Sequence, residues 1–206
     1  MANMQQEGST VQIRRFAQHA VAGVLVLLSL SSSPVLAQRD HAHAAAAHAR
    51  ANQQAKANAL FQVVRDATER FHDVAVAEQE GYFLQFGCVS GPDYGAMGLH
   101  FVNFELVMDG ELDATRPEIV IYEPQPDGSL QLIGADYLVL ADVWNATHAS
   151  PPELMGQLFH LFEAPNRFGL PAFYTLHVWA WKHSPTGPFV NWHANVSCDA
   201  FSGQNP

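Results

Sequence analysis

Three ionisable residues set in apolar runs are the parts of this chain equipped for chemistry. His100 lies in "LHFV" (99–102), Glu123 closes "IVIYE" just before Pro124, and His177 stands inside "AFYTLHVWAW" (172–181). Alternate side chains of a strand share a face, which groups Glu123 with Ile119 and Ile121. The same rule groups His177 with Phe173, Thr175, Trp179 and Trp181. An ionised carboxylate among isoleucines is costly to bury without a partner. Protein cations are scarce: beyond Phe71 the only basic residues are Arg116, Arg167 and Lys182, against sixteen acidic ones. A divalent transition metal (zinc, copper or iron) answers that need. Two imidazoles and one carboxylate from separate strands form a facial set with open positions. The expected metal ligands are His100, Glu123 and His177, with His193 of "NWHANVSC" as a possible fourth. The plainer alternative stays open. A histidine in an aromatic strand packs as core, and Glu123 pairs with Arg116 or Lys182.

The aromatic residues give a second line of argument. Tyr174, Trp179 and Trp181, together with Phe189 and Trp192, make either a tryptophan-rich core or the wall of an apolar ligand pocket. A pocket without a metal describes a non-enzymatic module that binds a small molecule. A metal with open positions describes a protein that acts on one. A plain structural domain is the third possibility. Other catalytic machinery does not show in the sequence, which has no nucleophile elbow, no Walker loop and no dinucleotide fingerprint.

Charge and targeting narrow the partners. The 206 residues carry a formal net charge of −10. Such a surface repels nucleic acid and anionic lipid and favours metal ions or small molecules. Residues 1–37 read as a signal peptide: Arg14 and Arg15, the apolar stretch Ala20–Leu30, and a small-x-small site at Val35 and Ala37. The expected location is periplasmic or extracellular, with no stable membrane insertion after cleavage. Export favours oxidised cysteines, so the only two, Cys88 and Cys198, are expected to form a disulfide.

The elements that must position these residues follow from periodicity. Residues 38–57, rich in alanine and bearing His41, His43 and His48, read as a flexible tether or frayed helix. Residues 58–206 read as one domain. Its helix over 58–80 shows an apolar stripe of Leu60, Val63, Val64, Ala67, Phe71 and Val74. A hairpin is expected over 117–140 around "QPDGS", with further strands at 99–102 and 172–181. Asn103 should cap a short helix that Gly110 ends, and Ser150-Pro151 should start another. The fold class is α+β: an N-terminal amphipathic helix on a curved, mainly antiparallel sheet or small barrel.

The blocks "RFHDVAVAEQEGY", "GAMGLHFVN", "IVIYEP", "LIGADYLVL" and "LHVWAW" followed by "VSC" resemble a group of uncharacterised exported bacterial proteins, over about residues 60–199. The resemblance implies export and one domain, and brings no activity with it. Members of that group often carry Asn-Pro where this chain has His193-Ala194, which sets His193 apart from the three main ligands.

Overall fold

The computed structural model describes residues 34–203. The signal segment expected over 1–37 lies outside the described residues, apart from its last four. The compact body begins at Ala42.

Helix α1 spans Pro34–Thr68. The stretch expected as a tether is therefore helical, with His41, His43 and His48 exposed on it. Burial starts where the apolar stripe starts, at Ala57, Leu60 and Val64. Each large side chain in that stripe contributes about 1.5–3 kcal/mol by leaving water. The expected single helix over 58–80 is broken. A 3-10 turn at Glu69–His72 precedes α2 (Val74–Gln79), which Asp73 caps through the Ala75 N–H.

The sheet comprises β1 (Phe83–Gly91), β2 (Gly95–Val102), β3 (Ile119–Pro124) and β4 (Leu130–Leu140), followed later in the chain by β7 (His160–Phe162) and β8 (Phe173–Val178). Its order is β1-β2-β3-β4-β8-β7, every neighbour is antiparallel, and it curls strongly into a half-barrel. The α+β architecture expected from the sequence is thus the one observed. Turn chemistry fixes the β3–β4 register. Asp127 Oδ1 accepts from both Ser129 N and Ser129 Oγ, and Gly128 N donates to Gln125 O. Asn103 caps α3 (Phe104–Asp109) through Oδ1, and Gly110 ends it in the left-handed region at φ 74°. A short α4 (Ala141–Asn145) follows β4. No helix starts at Pro151; a two-residue ladder of β5 (Glu153–Leu154) and β6 (Gln157–Leu158) lies there instead. Consecutive prolines at 151 and 152 deprive that segment of two amide donors, and the residue before a proline avoids helical backbone.

Alternation divides the sheet into two faces. Val120, Tyr122, Tyr137, Val139, Tyr174, Leu176 and Val178 pack with α1 and the 3-10 turn. Ile119, Ile121, Leu138, Phe173 and Trp179 build a second core on the opposite face. Cys88 and Cys198 are bonded, with Cα atoms 5.7 Å apart at a sequence separation of 110. The bridge ties β1 to the C-terminal segment, as export chemistry led us to expect.

Candidate metal centre

His100, Asp136 and His177 converge on the face opposite α1. The strands dictate this. Asp136 pairs with Ile119 on one side and His177 on the other, while His100 pairs with Ile121, so the three residues occupy two neighbouring rows of one face, with His100 set diagonally from Asp136. One donor atom from each residue lies within 4.8 Å of the other two. All three are buried, Asp136 and His177 at 2 % exposure and His100 at 6 %. The His100 and His177 rings lie nearly edge to face, 5.7 Å between centroids at 80°.

The polar atoms of this cluster are under-satisfied. Thr175 Oγ1 donates to Asp136 Oδ1 at 2.5 Å. His177 Nδ1 stands 3.5 Å from that same oxygen. His100 Nδ1 and both ring nitrogens of His177 lack a hydrogen-bond partner among the described residues. Asn191 sits beside His177, outside hydrogen-bond geometry, and its Oδ1 is also unpartnered. Buried polar atoms are nearly always paired, so three orphaned ring nitrogens on two neighbouring histidines are informative.

Burial also sets the protonation states. Desolvation pushes His177 down to about 3 and His100 down to about 4, with the neighbouring His177 adding to the effect on His100. Desolvation raises Asp136 to about 6, against the stabilising influence of His100 and the Thr175 hydroxyl. At neutral pH the imidazoles are neutral and the carboxylate is ionised, the forms in which these groups bind metals.

Sequence reasoning found two of the three converging residues and chose a different carboxylate. Glu123 has the expected parity but lies one repeat further along β3, opposite Gln131. There it accepts from Lys182 Nζ at 2.5 Å through Oε2 and from Ser197 N at 3.1 Å through Oε1. It found a protein cation after all, from the short list of three. Asp136 was legible by the argument applied to Glu123: it is a lone acid inside the apolar strand "LIGADYLVL", with buried residues on both sides.

His193 is fully buried but separate. Trp179 stands between it and the cluster, with ring centroids 5.0 Å from His193 and 5.5 Å from His177. His193 Nδ1 accepts from Asn195 N.

The aromatic pocket residues are distributed differently from the expectation. Trp179 is on the cluster face, where its indole donates to Val190 O. Trp181 crosses to the helix side and donates to Thr68 Oγ1. The strand ends at Val178, and both Trp181 N and Lys182 N reach Ile133 O, an irregularity that breaks the alternation. Tyr174 is on the helix side and donates to Asn145 Oδ1. The cavity over the cluster is walled by phenylalanines instead. It measures about 30 Å³, and Phe86, Phe162, Phe168 and Phe173 line it together with the three polar residues. Phe168 packs edge to face on Phe86 and lies 6.2–6.3 Å from Phe162 and Phe173.

Phe86 reaches this place through a bulge. Gln85 pairs with His100 and Cys88 with Leu99, leaving Phe86 and Gly87 as two unpaired residues, both at positive φ (63° and 62°). A bulky residue in that region is strained and persists only where its surroundings hold it. Here the bulge sets an aromatic ring over His100, while the disulfide anchors the very next residue.

The chain matches no protein family, no curated protein and no solved structure.

Proposed function

We propose that this is an exported protein whose buried His100, Asp136 and His177 hold one divalent transition-metal ion. The observation that carries the reading is the convergence of three ligand atoms within 4.8 Å, beside three buried ring nitrogens, His100 Nδ1 and both of His177, that have no hydrogen-bond partner among the described residues. Ligands at about 2.0–2.2 Å from zinc stand at most about 4.4 Å apart, so small side-chain adjustments close the site. Two imidazoles and a carboxylate suit zinc, iron or copper and leave positions open. Those positions face the phenylalanine cavity. A metal there supplies a Lewis acid in a dry setting, suited to a small molecule. The disulfide and the acidic composition support an exported protein that does not bind nucleic acid.

Elemental analysis of the purified chain tests the reading. One metal per chain, retained through dialysis and absent from His177→Ala, is the expected result. A metal-free chain that cannot be loaded with zinc, cobalt or iron overturns it. The phenylalanine cavity favours a second reading, a module binding an apolar molecule without metal, and that same metal-free result leaves it standing alongside a plain structural domain.

A further inference from the structure

We infer that the site takes a small, neutral, ring-sized apolar molecule bearing one Lewis-basic atom, admitted by withdrawal of the Phe168 ring. The inference rests on the metal reading, because the metal is what receives the basic atom.

The segment between β7 and β8 carries Phe168 and Leu170, which both line the cavity. It bridges the two edges of the half-barrel: Arg167, beside Phe168, donates from its guanidinium to Ser90 O of β1 at 2.9 Å. Its inner structure is held by one side chain. Asn166 Oδ1 accepts from Phe168 N and Leu170 N, and Asn166 Nδ2 donates to Leu170 O and Glu163 O. These bonds tie Asn166 to residues of its own segment, at most four positions away. The turn can therefore shift without breaking sheet ladders, at the cost of the Arg167 contacts that include the bond to Ser90 O. In the ladder itself, β7 contributes only three residues at the sheet edge.

Size and polarity define the guest. A cavity of about 30 Å³ holds about one water, whereas a benzene-sized guest needs roughly 150 Å³. Withdrawing the Phe168 ring frees the volume of one aromatic ring directly above His100 and His177. The walls that stay in place are Phe86, Phe162, Phe173 and Leu138. Among the described residues, no polar or cationic side chain besides the cluster and Thr175 lines this space, so only the ion's own charge stands against the desolvation of a charged guest, and a neutral donor avoids that cost. The open metal positions accept one donor atom.

Pyridine and acetate titrated into the Co²⁺-loaded protein, followed by the visible cobalt bands, test the inference. Wild type should respond saturably to pyridine and more weakly to acetate. Phe168→Ala should bind pyridine about tenfold more tightly or better, and Phe168→Leu should fall between the two, each retaining one Co²⁺ per chain. Phe168 is half-buried, and the conservative Leu variant keeps the series informative should the Ala variant unfold. Full cobalt loading with pyridine affinity unchanged across the series, or with acetate preferred, overturns the inference and leaves the metal reading standing. Failure of wild type to take up cobalt overturns both.

Discussion

His177 and Asp136 face each other across the β4–β8 ladder with Nδ1 3.5 Å from Oδ1, and no hydrogen bond joins them. The carboxylate is held by Thr175 instead. A histidine–aspartate pair built for structure would close that gap. The residual distance and the unpaired nitrogens are what a site needs if a third atom is to sit between them. Asp136→Asn separates the two cases. It removes a charge whose burial is unfavourable, and Asn can still accept from Thr175. Metal-free protein should be as stable as wild type or more stable by about 1 kcal/mol. Metal affinity should fall by more than the 10–100-fold typical of losing a supporting group. Thermal melts with and without added zinc read both effects; retained affinity in the Asn variant argues against the site.

Glu123 supplies the internal control. It belongs to an ion pair with Lys182 and a bond from Ser197 N, away from the cluster. Glu123→Gln should leave metal stoichiometry at the wild-type value. It should cost about 1–3 kcal/mol, since the Lys182 ammonium and the Ser197 amide keep only a neutral acceptor. Urea unfolding and elemental analysis on one preparation decide this. Loss of metal from this variant would mean that Glu123 reaches the ion.

The course of β2 ahead of His100 depends on Gly98. This residue has φ 88°, and a Cβ there would come within 2.6 Å of Tyr122 O across the β2–β3 ladder. Gly98→Ala is therefore expected to push β2 off β3 and carry His100 with it. A loss of about 2 kcal/mol or more is expected, together with weakened metal binding. A variant with wild-type stability and wild-type zinc affinity would show that the close approach is not required.

How much of this was legible beforehand depended on range. Local signals gave the Asn103 cap, the Asp127 turn and the β3–β4 hairpin, because each is encoded within a few residues. The alternation rule placed His177 and Trp179 on one face correctly. It failed at Trp181, where the strand ended three residues earlier than the apolar run did. It also led to Glu123 and passed over Asp136, since parity fixes the face of a side chain and not its height along the strand. That height depends on strand register, which no local signal states. The β3–β4 bulge between Ile121 and Tyr122 changes it again. β1 was missed because its two-residue bulge interrupts the period-two pattern, and the bulge exists to serve Phe86 rather than the ladder.

The Cys88–Cys198 bridge should contribute to both stability and site order. Its loop of 110 residues corresponds to about 4–5 kcal/mol in the chain-entropy account. A Cys88→Ala/Cys198→Ala double variant should show a midpoint lowered accordingly in urea. The bulge that positions Phe86 ends at Cys88, so cobalt spectra of the variant should also change. An unchanged midpoint would mean that the C-terminal segment is held by Glu123 and its neighbours alone.

Glu118 makes the last prediction, and it concerns pH. Its side chain is 1 % exposed. Oε2 accepts one bond, from Leu138 N, and no cation among the described residues pairs with it. Tyr82 and Tyr137 sit close enough to feel its charge, yet their hydroxyls donate elsewhere, to Pro117 O and Ala114 O. Desolvation raises this carboxyl to about 8, far above its ordinary value of 4.5. The folded chain therefore holds a proton that the unfolded chain releases across that interval. Protons bound by the unfolded state minus those bound by the folded state is negative, so stability falls as pH rises through the window. The contribution is complete below 4.5 and lost by about 8. Asp136, raised to about 6, acts in the same direction at lower pH. His100 and His177, both depressed, act oppositely below 6.5. The interval from pH 6.5 to 8 isolates Glu118. Wild type should lose about 1–2 kcal/mol there, at most about 1.4 kcal/mol per pH unit. Glu118→Gln, which can still accept from Leu138 N, should be nearly flat over the same range. Urea unfolding at both pH values measures the difference, and equal slopes for the two proteins would place the ionised carboxylate in the folded state.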